Sequence, residues 1–392
     1  MKDGNVIKTI GCLAWREMKR LTAIPIYFFA MVGAPVFSLV FFLSLMYHGL
    51  PTDLPVAVVD LDNTATSRML IRQLDAFEQT KVVCVSPSFS EARQEMQKGK
   101  VYGILYIPDG FSVKATTGKQ PKVSYYTNGA YLIAGSLMFR DLKTISVLAN
   151  ASVGLQTGTA KGITEEQLMG QLQPIEVETH AIGNPWLNYS VYLNNTILPG
   201  ILQLVIFLVT VFSIGSELKN GTSRVWLSEA GGSLTVGLLG KLLPQTIIFT
   251  LVGFLFAAGM YGYNAFPLNS GWGPMLWAIF LLVVASQAVG VFMIGTLPTL
   301  RLGLSFASLF GMISFSIVGF SFPVQAMHPT LQSLTNLFPL RHYFLIYVDQ
   351  ALNGRDIFFT WGEYLWLAAF LVLPFLIGKN LKDALLYFKY IP

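Results

Sequence analysis

Four stretches of this 392-residue chain carry no Asp, Glu, Lys or Arg: Leu21 to Thr52, Ala181 to Ser216, Leu242 to Leu300 and Leu302 to Met327. Each is long enough for the roughly 20 residues of helix that cross a ~30 Å hydrocarbon core. A soluble domain carries about 25% charged residues, whereas this chain is 12% charged and 53% hydrophobic. Inside a bilayer a helix satisfies every backbone group within its own segment. The expectation is therefore an α-helical polytopic membrane protein.

The turn cluster YGYNAFPLNSGWGP (Tyr261–Pro274) divides the longest stretch in two. Six spans are expected: Leu21–Tyr47, Tyr192–Gly215, Leu234–Tyr261, Met275–Leu297, Leu302–Phe322 and Phe358–Gly378. Pro25 and Pro35 fall inside the first, which membrane helices tolerate. That apolar run exceeds the 7–15 residues of a signal-peptide h-region, so the start is read as a span and not a cleavable leader.

Charge divides the rest. Between Leu50 and Pro185 lie 13 acids and 12 bases, 25 of the 47 charged residues, which marks an inserted soluble domain over 49–189. Elsewhere the short connections fall into two sets. One set (1–20, the 215–233 loop with Lys241 beyond it, Arg301 and the 381–392 tail with its approach) holds 12 bases against five acids; the only bases of the opposite short segments are Arg341 and Arg355. The positive-inside rule puts both termini in the cytoplasm and the inserted domain outside. Cys12 and Cys84 then lie on opposite sides and form no disulfide framework.

The inserted domain reads as α/β. Pro55–Asp60, KVVCV, VYGILYI and PKVSYYTN have strand character, and IEVETHAI (Ile175–Ile182) alternates as a further strand. Ser88 with Glu91, and Thr164 with Gln167, have capping-box spacing, and 129–155 reads as a long helix. At the other face of the membrane, residues 1–20 read as an amphipathic helix with Val6, Ile7, Ile10, Ala14, Met18 and Leu21 on its stripe. The stretch GFSFPVQAMHPTLQSLTNLFPLRHYF breaks at Pro323, Pro329 and Pro339. An outer gate and a plain outer loop are both compatible with it.

No energy source is visible. TVGLLGKLL misses the first glycine and the final hydroxyl of a P-loop, whose backbone N–H groups must cradle phosphates. The spans are read as carrying none of the internal Asp, Glu, Lys or His typical of proton or ion relays, with Glu363 and Arg301 placed near span ends. The four histidines never cluster at metal-ligand spacing, so no metal site is expected. VAVVDLDNT fits the opening of haloacid-dehalogenase-type phosphatases, with Asp60 and Asp62 as the paired acids. The same residues suit a turn followed by a helix cap, and the downstream acidic motif of that chemistry is missing.

Taken in order, VAVVDLDNTATSRMLIRQL, GKVYGILYIPDGFS, SELKNGTSRVWLSEAGGS…LLGK and GFSFPVQAMHPTLQSLTNLFPLRHY make the chain resemble the ABC type-2 export permeases, in the subgroup with a large extracytoplasmic domain after the first span. The resemblance implies a permease subunit of an ATP-driven exporter in the bacterial inner membrane. No cofactor is then bound by this chain, and ATP and Mg are used by a cytoplasmic ABC ATPase subunit. A second permease copy, identical or paralogous, membrane lipid and a periplasmic adaptor are the other implied partners; nucleic acid is not one. Arg16, Glu217, Gly221, Thr222, Trp226 and Lys241 would couple to the ATPase subunit. Asn194, Gln203, Phe207 and Phe212 on span two, with Phe306, Phe310 and Phe315 on span five, would line the substrate pathway between two copies. Pro323, Phe338 and Pro339, within a re-entrant segment 322–344, would form the outer gate. The uncharged, aromatic pathway suits an amphipathic or lipid-like cargo. The alternatives are a membrane-anchored phosphatase and a partner-binding receptor that uses the outer domain.

Overall fold

The structure is a computed structural model. It describes residues 3–387 except Gly118, Gln120, Ala160, Lys161, Glu165, 169–182 and Trp186. The chain forms two compact units, His48–His180 and the remainder, Met1–Tyr47 with Ala181–Pro392.

Among its described residues His48–His180 is built on a four-stranded sheet in the order β2-β1-β3-β4. The strands are β1 (Leu54–Asp60), β2 (Thr80–Val85), β3 (Gly103–Ile107) and β4 (Ser124–Thr127). β1 lies parallel to both β2 and β3, and β4 closes the sheet antiparallel to β3. Helices cover both faces, so β1 is apolar throughout its centre. Val56 and Val58 meet Leu70, Leu74, Met138 and Leu142 on one side; Ala57 and Val59 meet Ala92 and Val101 on the other. The expected long helix spans Leu132–Thr159. Ser88 Oγ accepts from the Glu91 N–H, which is one half of the capping box expected there. The strand expected at 175–182 lies outside the described residues, as does most of the segment after Thr164.

Asp60 and Asp62 tie strand to helix. Asp60 Oδ1 accepts the N–H groups of Asp62 and Asn63 at 3.1 Å each, and Oδ2 accepts from Ser67 Oγ at 2.7 Å. Thr64 caps the following helix, Ala65–Asp75, in a reciprocal box with Ser67. Asp62 Oδ2 takes bonds from Thr64 Oγ1 at 2.6 Å and the Ser112 N–H at 3.2 Å. Burial works to raise the Asp62 carboxyl, but bonds from Ser112 and Thr64 hold it below its ordinary value. Both carboxylates are occupied by the turn and the cap, the structural use of this motif.

Among its described residues the second unit contains six helices long and apolar enough to cross a membrane: Pro25–Leu45, Tyr189–Lys219, Leu234–Tyr263, Trp272–Thr296, Leu300–Ile317 and Ile357–Tyr387. They are called spans one to six below. Span four is buried almost all round, whereas spans one, five and six leave most of their surface exposed. Small residues set the close crossings, as is usual between membrane helices. A Cβ on Gly200 of span two would meet Phe315 of span five at 2.3 Å, and one on Gly253 of span three would meet Ile279 of span four at 2.4 Å.

Most expected boundaries move by a few residues, and three ends move further. Span two was expected to stop at Gly215, before Glu217, but the helix continues to Lys219 because that acid is paired inside the fold. Span six runs past Gly378 to Tyr387. Span five was expected to reach Phe322 and ends at Ile317 instead. Arg341 Nη1 takes the Val318 carbonyl at 2.6 Å, and Gly319 leaves the helix at φ 106°.

The N-terminal helix runs Asp3–Ala23. Its buried face overlaps the expected stripe but is rotated from it: Leu21 is buried and Val6, Ile10, Ala14 and Met18 are half-buried, while Ile7 stays 77% exposed and Leu13 and Glu17, off the stripe, are buried. The helix turns an acid toward span three, which apolar pattern reading does not anticipate.

Candidate functional site

Four helices meet where the N-terminal helix, the end of span two, the start of span three and the end of span six converge. Gly240 makes the first contact possible. A Cβ there would lie 2.6 Å from Leu13 Cβ, so only glycine lets the N-terminal helix settle onto span three. The next residue, Lys241, then reaches two carboxylates at once. Its Nζ is 3.0 Å from Glu17 Oε2 and 3.0 Å from Glu217 Oε1, and the three side chains are 1%, 3% and 2% exposed.

The remaining lone pairs are also used. Arg20 Nη1 donates to Glu217 Oε1 at 2.6 Å, and its Nη2 donates to Ser216 Oγ at 2.7 Å. Arg16 bridges Glu217, at 3.4 Å, and Glu229. Glu17 Oε1 accepts from Ser213 Oγ at 2.9 Å, and Gln245 Nε2 donates to that same hydroxyl at 3.0 Å. The Lys241 ammonium also lies 5.0 Å from the centre of the buried Trp226 ring. Three acids (Glu17, Glu217, Glu229) thus balance three bases (Arg16, Arg20, Lys241). A buried charge persists only when paired and hydrogen-bonded, and this cluster meets that condition.

The backbone at this point explains Gly221 and Thr222. Span two ends in a Schellman motif: the Thr222 N–H bonds to the Glu217 carbonyl at 3.0 Å and the Gly221 N–H to the Leu218 carbonyl at 3.3 Å. Gly221 sits at φ 69°, a left-handed position that costs other residues energy. The Thr222 hydroxyl turns back onto Glu217 Oε2. The chain then enters a short helix, Ser223–Glu229, whose Trp226 and Leu227 are buried. Ser223 Oγ and Arg224 Nε donate to the carbonyls of Leu385 and Leu386, capping the end of span six; Lys382 donates to the Gly232 carbonyl. The short helix is therefore fastened to spans two and six, and through Arg16 to the N-terminal helix.

All six residues selected from sequence at this site, Arg16, Glu217, Gly221, Thr222, Trp226 and Lys241, converge here. Sequence reading missed Glu17, Arg20, Ser213 and Gln245. It also read the spans as carrying no internal relay-type ionisable groups, which needs correction: Glu217 and Lys241 are buried within helices, and Glu363, expected near a span end, meets His342. One signal was available for Glu17: it falls between Leu13 and Leu21 at helical spacing, an acid on an otherwise apolar face.

At the opposite ends of the spans, the segment expected to be broken by prolines uses two of them to start helices. Pro329 opens Pro329–Thr335 and Pro339 opens Pro339–Ile346, positions where the missing N–H costs nothing. Pro323 is exposed and precedes one short turn at Val324–Ala326. Phe338 is buried and stacks on Phe310 of span five at 4.3 Å between ring centroids. His342 is buried; Nδ1 lies 2.7 Å from Glu363 Oε2 and Nε2 lies 3.0 Å from the Asn336 carbonyl, with the ring stacked on Trp366.

The seven pathway candidates fall into two groups. Phe207, Phe306 and Phe310 form an edge-to-face cluster between spans two and five, continued by Phe338. Phe315 nests over Gly200, and Gln203 Nε2 donates to Ser314 Oγ at 3.2 Å. Phe212 instead turns to Tyr27 of span one, and Asn194 donates to Ser190 one turn earlier. Within one chain these residues pack against one another and their neighbours at helix crossings. Gln203 Oε1 and Asn194 Oδ1 have no partner among the described residues.

A sequence model of the family described as "ABC-2 family transporter protein" matches residues 25–378. The linearmycin resistance permease protein LnrN of Bacillus subtilis (strain 168) is 21% identical over 390 residues, covering 95% of this chain and 98% of that protein. The probable multidrug ABC transporter permease YbhR of Escherichia coli (strain K12) is 21% identical over 318 residues, 80% of this chain and 82% of that protein.

Proposed function

The chain belongs to the ABC-2 transporter family, and from that premise we propose that it is the membrane-spanning permease subunit of an ATP-driven exporter for amphipathic or hydrophobic cargo. Permeases of this family work with a cytoplasmic ABC ATPase subunit and are multi-pass proteins of the bacterial inner membrane. The distribution of Lys and Arg puts both termini in the cytoplasm. His48–His180 is then an extracytoplasmic α/β domain inserted after span one. The relatives' printed roles, linearmycin resistance and multidrug transport, support export of drug-like or lipid-like molecules.

The observation that carries the reading is the fastening of Ser223–Glu229. A partner pressing on this short helix would move spans two and six and the N-terminal helix together, because Glu217, Arg16, Ser223 and Arg224 bind it to all three. The ion cluster makes that end of the bundle stiff, so motion passes along span two and is not absorbed locally. Span two carries it to the aromatic contacts with span five, and Phe310–Phe338 hands it to the outer segment. In this account two permease copies form the pathway between their second and fifth spans, and the outer segment closes its far end. The partner supplies the energy of ATP hydrolysis with its Mg; this chain supplies the lever, the pathway walls and the gate. An adaptor docked on the extracytoplasmic domain would extend the route.

The test is purification of the chain from its native membrane in mild detergent, followed by identification of what accompanies it and an ATP hydrolysis assay. A P-loop ATPase should co-purify in stoichiometric amount. Substituting the outward-facing residues of the short helix, Val225→Asp for example, should release it while the permease stays folded. Retention of the ATPase by that variant, or no ATPase at all, would remove the basis for the reading.

A further inference from the structure

Outside the contacts that serve coupling and the gate, spans three, four and six enclose a groove of about 1000 Å³. Its walls are Leu238, Leu242 and Ile247 of span three, Val284 and Ala288 of span four, and Phe375 of span six. At one end the lining changes character: Ser233, Thr235, Lys379 and Lys382 surround the mouth. Lys382 donates to the Gly232 carbonyl at 2.8 Å, and Lys379 is exposed with no ion pair or hydrogen bond among the described residues. Among the described residues, no acidic side chain lines the groove.

Depth gives a second constraint. The next polar lining residues along span three are Thr246, whose hydroxyl donates to Gln287 Oε1 at 2.7 Å, and Thr250. Thr235 and Thr246 are separated by about 16 Å along the helix axis, at 1.5 Å per residue. Half of a ~30 Å hydrocarbon core is about 15 Å. The apolar section between the lysines and the Thr246–Gln287 pair is therefore one leaflet deep.

We propose that this groove is a binding site for an anionic glycerophospholipid, with its acyl chains between spans three, four and six and its phosphate at Lys379 and Lys382. Two cations at the mouth and no lining acid select negative charge, and apolar walls of one-leaflet depth select an acyl chain. A soluble anion would gain nothing from the walls, and a zwitterionic lipid would gain little from the lysines. The site is lined by Leu238 and Leu242, which lie within one turn of Lys241 in span three, so a bound lipid buttresses the helix that carries the central cation. That the lipid comes from the cytoplasmic leaflet rests on the orientation given above; the binding itself does not.

The test uses the full chain in detergent micelles, where sidedness plays no part, with native mass spectrometry as the readout. Phosphatidylglycerol and phosphatidylethanolamine are added at equal concentration after delipidation. Wild type should retain phosphatidylglycerol preferentially. Each lysine near a phosphate contributes about fivefold, so Lys379→Ala with Lys382→Ala should weaken phosphatidylglycerol by about 30-fold. Lys379→Arg with Lys382→Arg should restore retention. Ile247→Trp, which fills the groove and leaves both lysines, should lose the lipid as well. Equal retention of the two lipids by wild type, or unchanged preference in the alanine pair or in Ile247→Trp, would overturn the proposal. So would occupation of the groove by a non-lipid amphiphile in protein taken from native membranes.

Discussion

Replacing Lys241 by methionine removes the cation that two buried carboxylates share, each 3.0 Å from its Nζ. Their fates differ. Glu217 keeps Arg20 at 2.6 Å and the Thr222 hydroxyl, whereas Glu17 keeps only the Ser213 hydroxyl at 2.9 Å among the described residues. Leaving a charge buried without its partner costs about 3–5 kcal/mol. Arg16→Ala should cost far less, about 0.2–1 kcal/mol, because that side chain is 36% exposed and Glu217 keeps its other partners. Lys241→Met combined with Glu17→Leu takes out both the cation and the carboxylate that most needs it. That double variant should be more stable than Lys241→Met alone, since apolar replacement of a whole buried pair is often neutral. SDS titration of the purified chain in mixed micelles, followed by tryptophan fluorescence, reads the order directly; Trp226 lies 5.0 Å from the Lys241 ammonium and reports locally. The reasoning fails if Lys241→Met unfolds no earlier than Arg16→Ala, or if the double variant is weaker than Lys241→Met.

Three other outcomes are expected. Gly240→Val should detach the N-terminal helix, since even its Cβ would sit 2.6 Å from Leu13 Cβ; overpacking of this kind costs about 1–3 kcal/mol, and trypsin should then cut at Arg16 and Lys19 faster than in wild type. His342→Ala should loosen the Asn336–Glu363 tie, seen as faster amide exchange over 329–346 with the ion-cluster end unchanged. The acids of His48–His180 should give opposite pH responses, read by amide exchange of β1 in the full chain. Asp62, held low in the fold, contributes stability above its unfolded value of about 3.9 that is lost as pH falls through its folded value, and Asp62→Asn should remove that acid-side loss. Burial raises the Asp141 carboxyl against the pull of Arg140, so its contribution is present below the unfolded value and lost as pH rises through the folded one. Asp141→Asn should therefore protect β1 at pH 7 and leave it unchanged at pH 3.

The elements were legible in sequence wherever one physical requirement acted alone. Uncharged runs gave the six spans because hydrocarbon tolerates little else, and VAVV gave a central strand because both its faces are covered. Helix ends were less legible where charge and helix compete. The stop expected before Glu217 assumed a solvated acid, and its partners lie at sequence separations of 197 and 24 residues. The Arg341 bond that ends span five crosses 23 residues. The site was half visible: Glu217 and Lys241 stand at the edges of apolar runs, but Glu17 sits among other charges, and only the tertiary fit at Gly240 turns it inward. The pathway residues were chosen as uncharged aromatic positions on spans two and five, and that criterion cannot separate residues that line a space from residues that fill it.

In the proposed function Ser223–Glu229 transmits the work of an ATPase partner through the Glu17–Glu217–Lys241 cluster. The most direct measurement of this is ATP-dependent uptake of a fluorescent amphiphile into inverted membrane vesicles containing the permease with its co-purifying ATPase. Wild type and Lys241→Met with Glu17→Leu, which keeps the fold but not the cluster, are compared at matched ATPase content. The account predicts that the variant still binds the ATPase and hydrolyses ATP, but that uptake per ATP falls at least tenfold. Uptake per ATP equal to wild type would contradict it, because the cluster would then stabilise the bundle and transmit nothing.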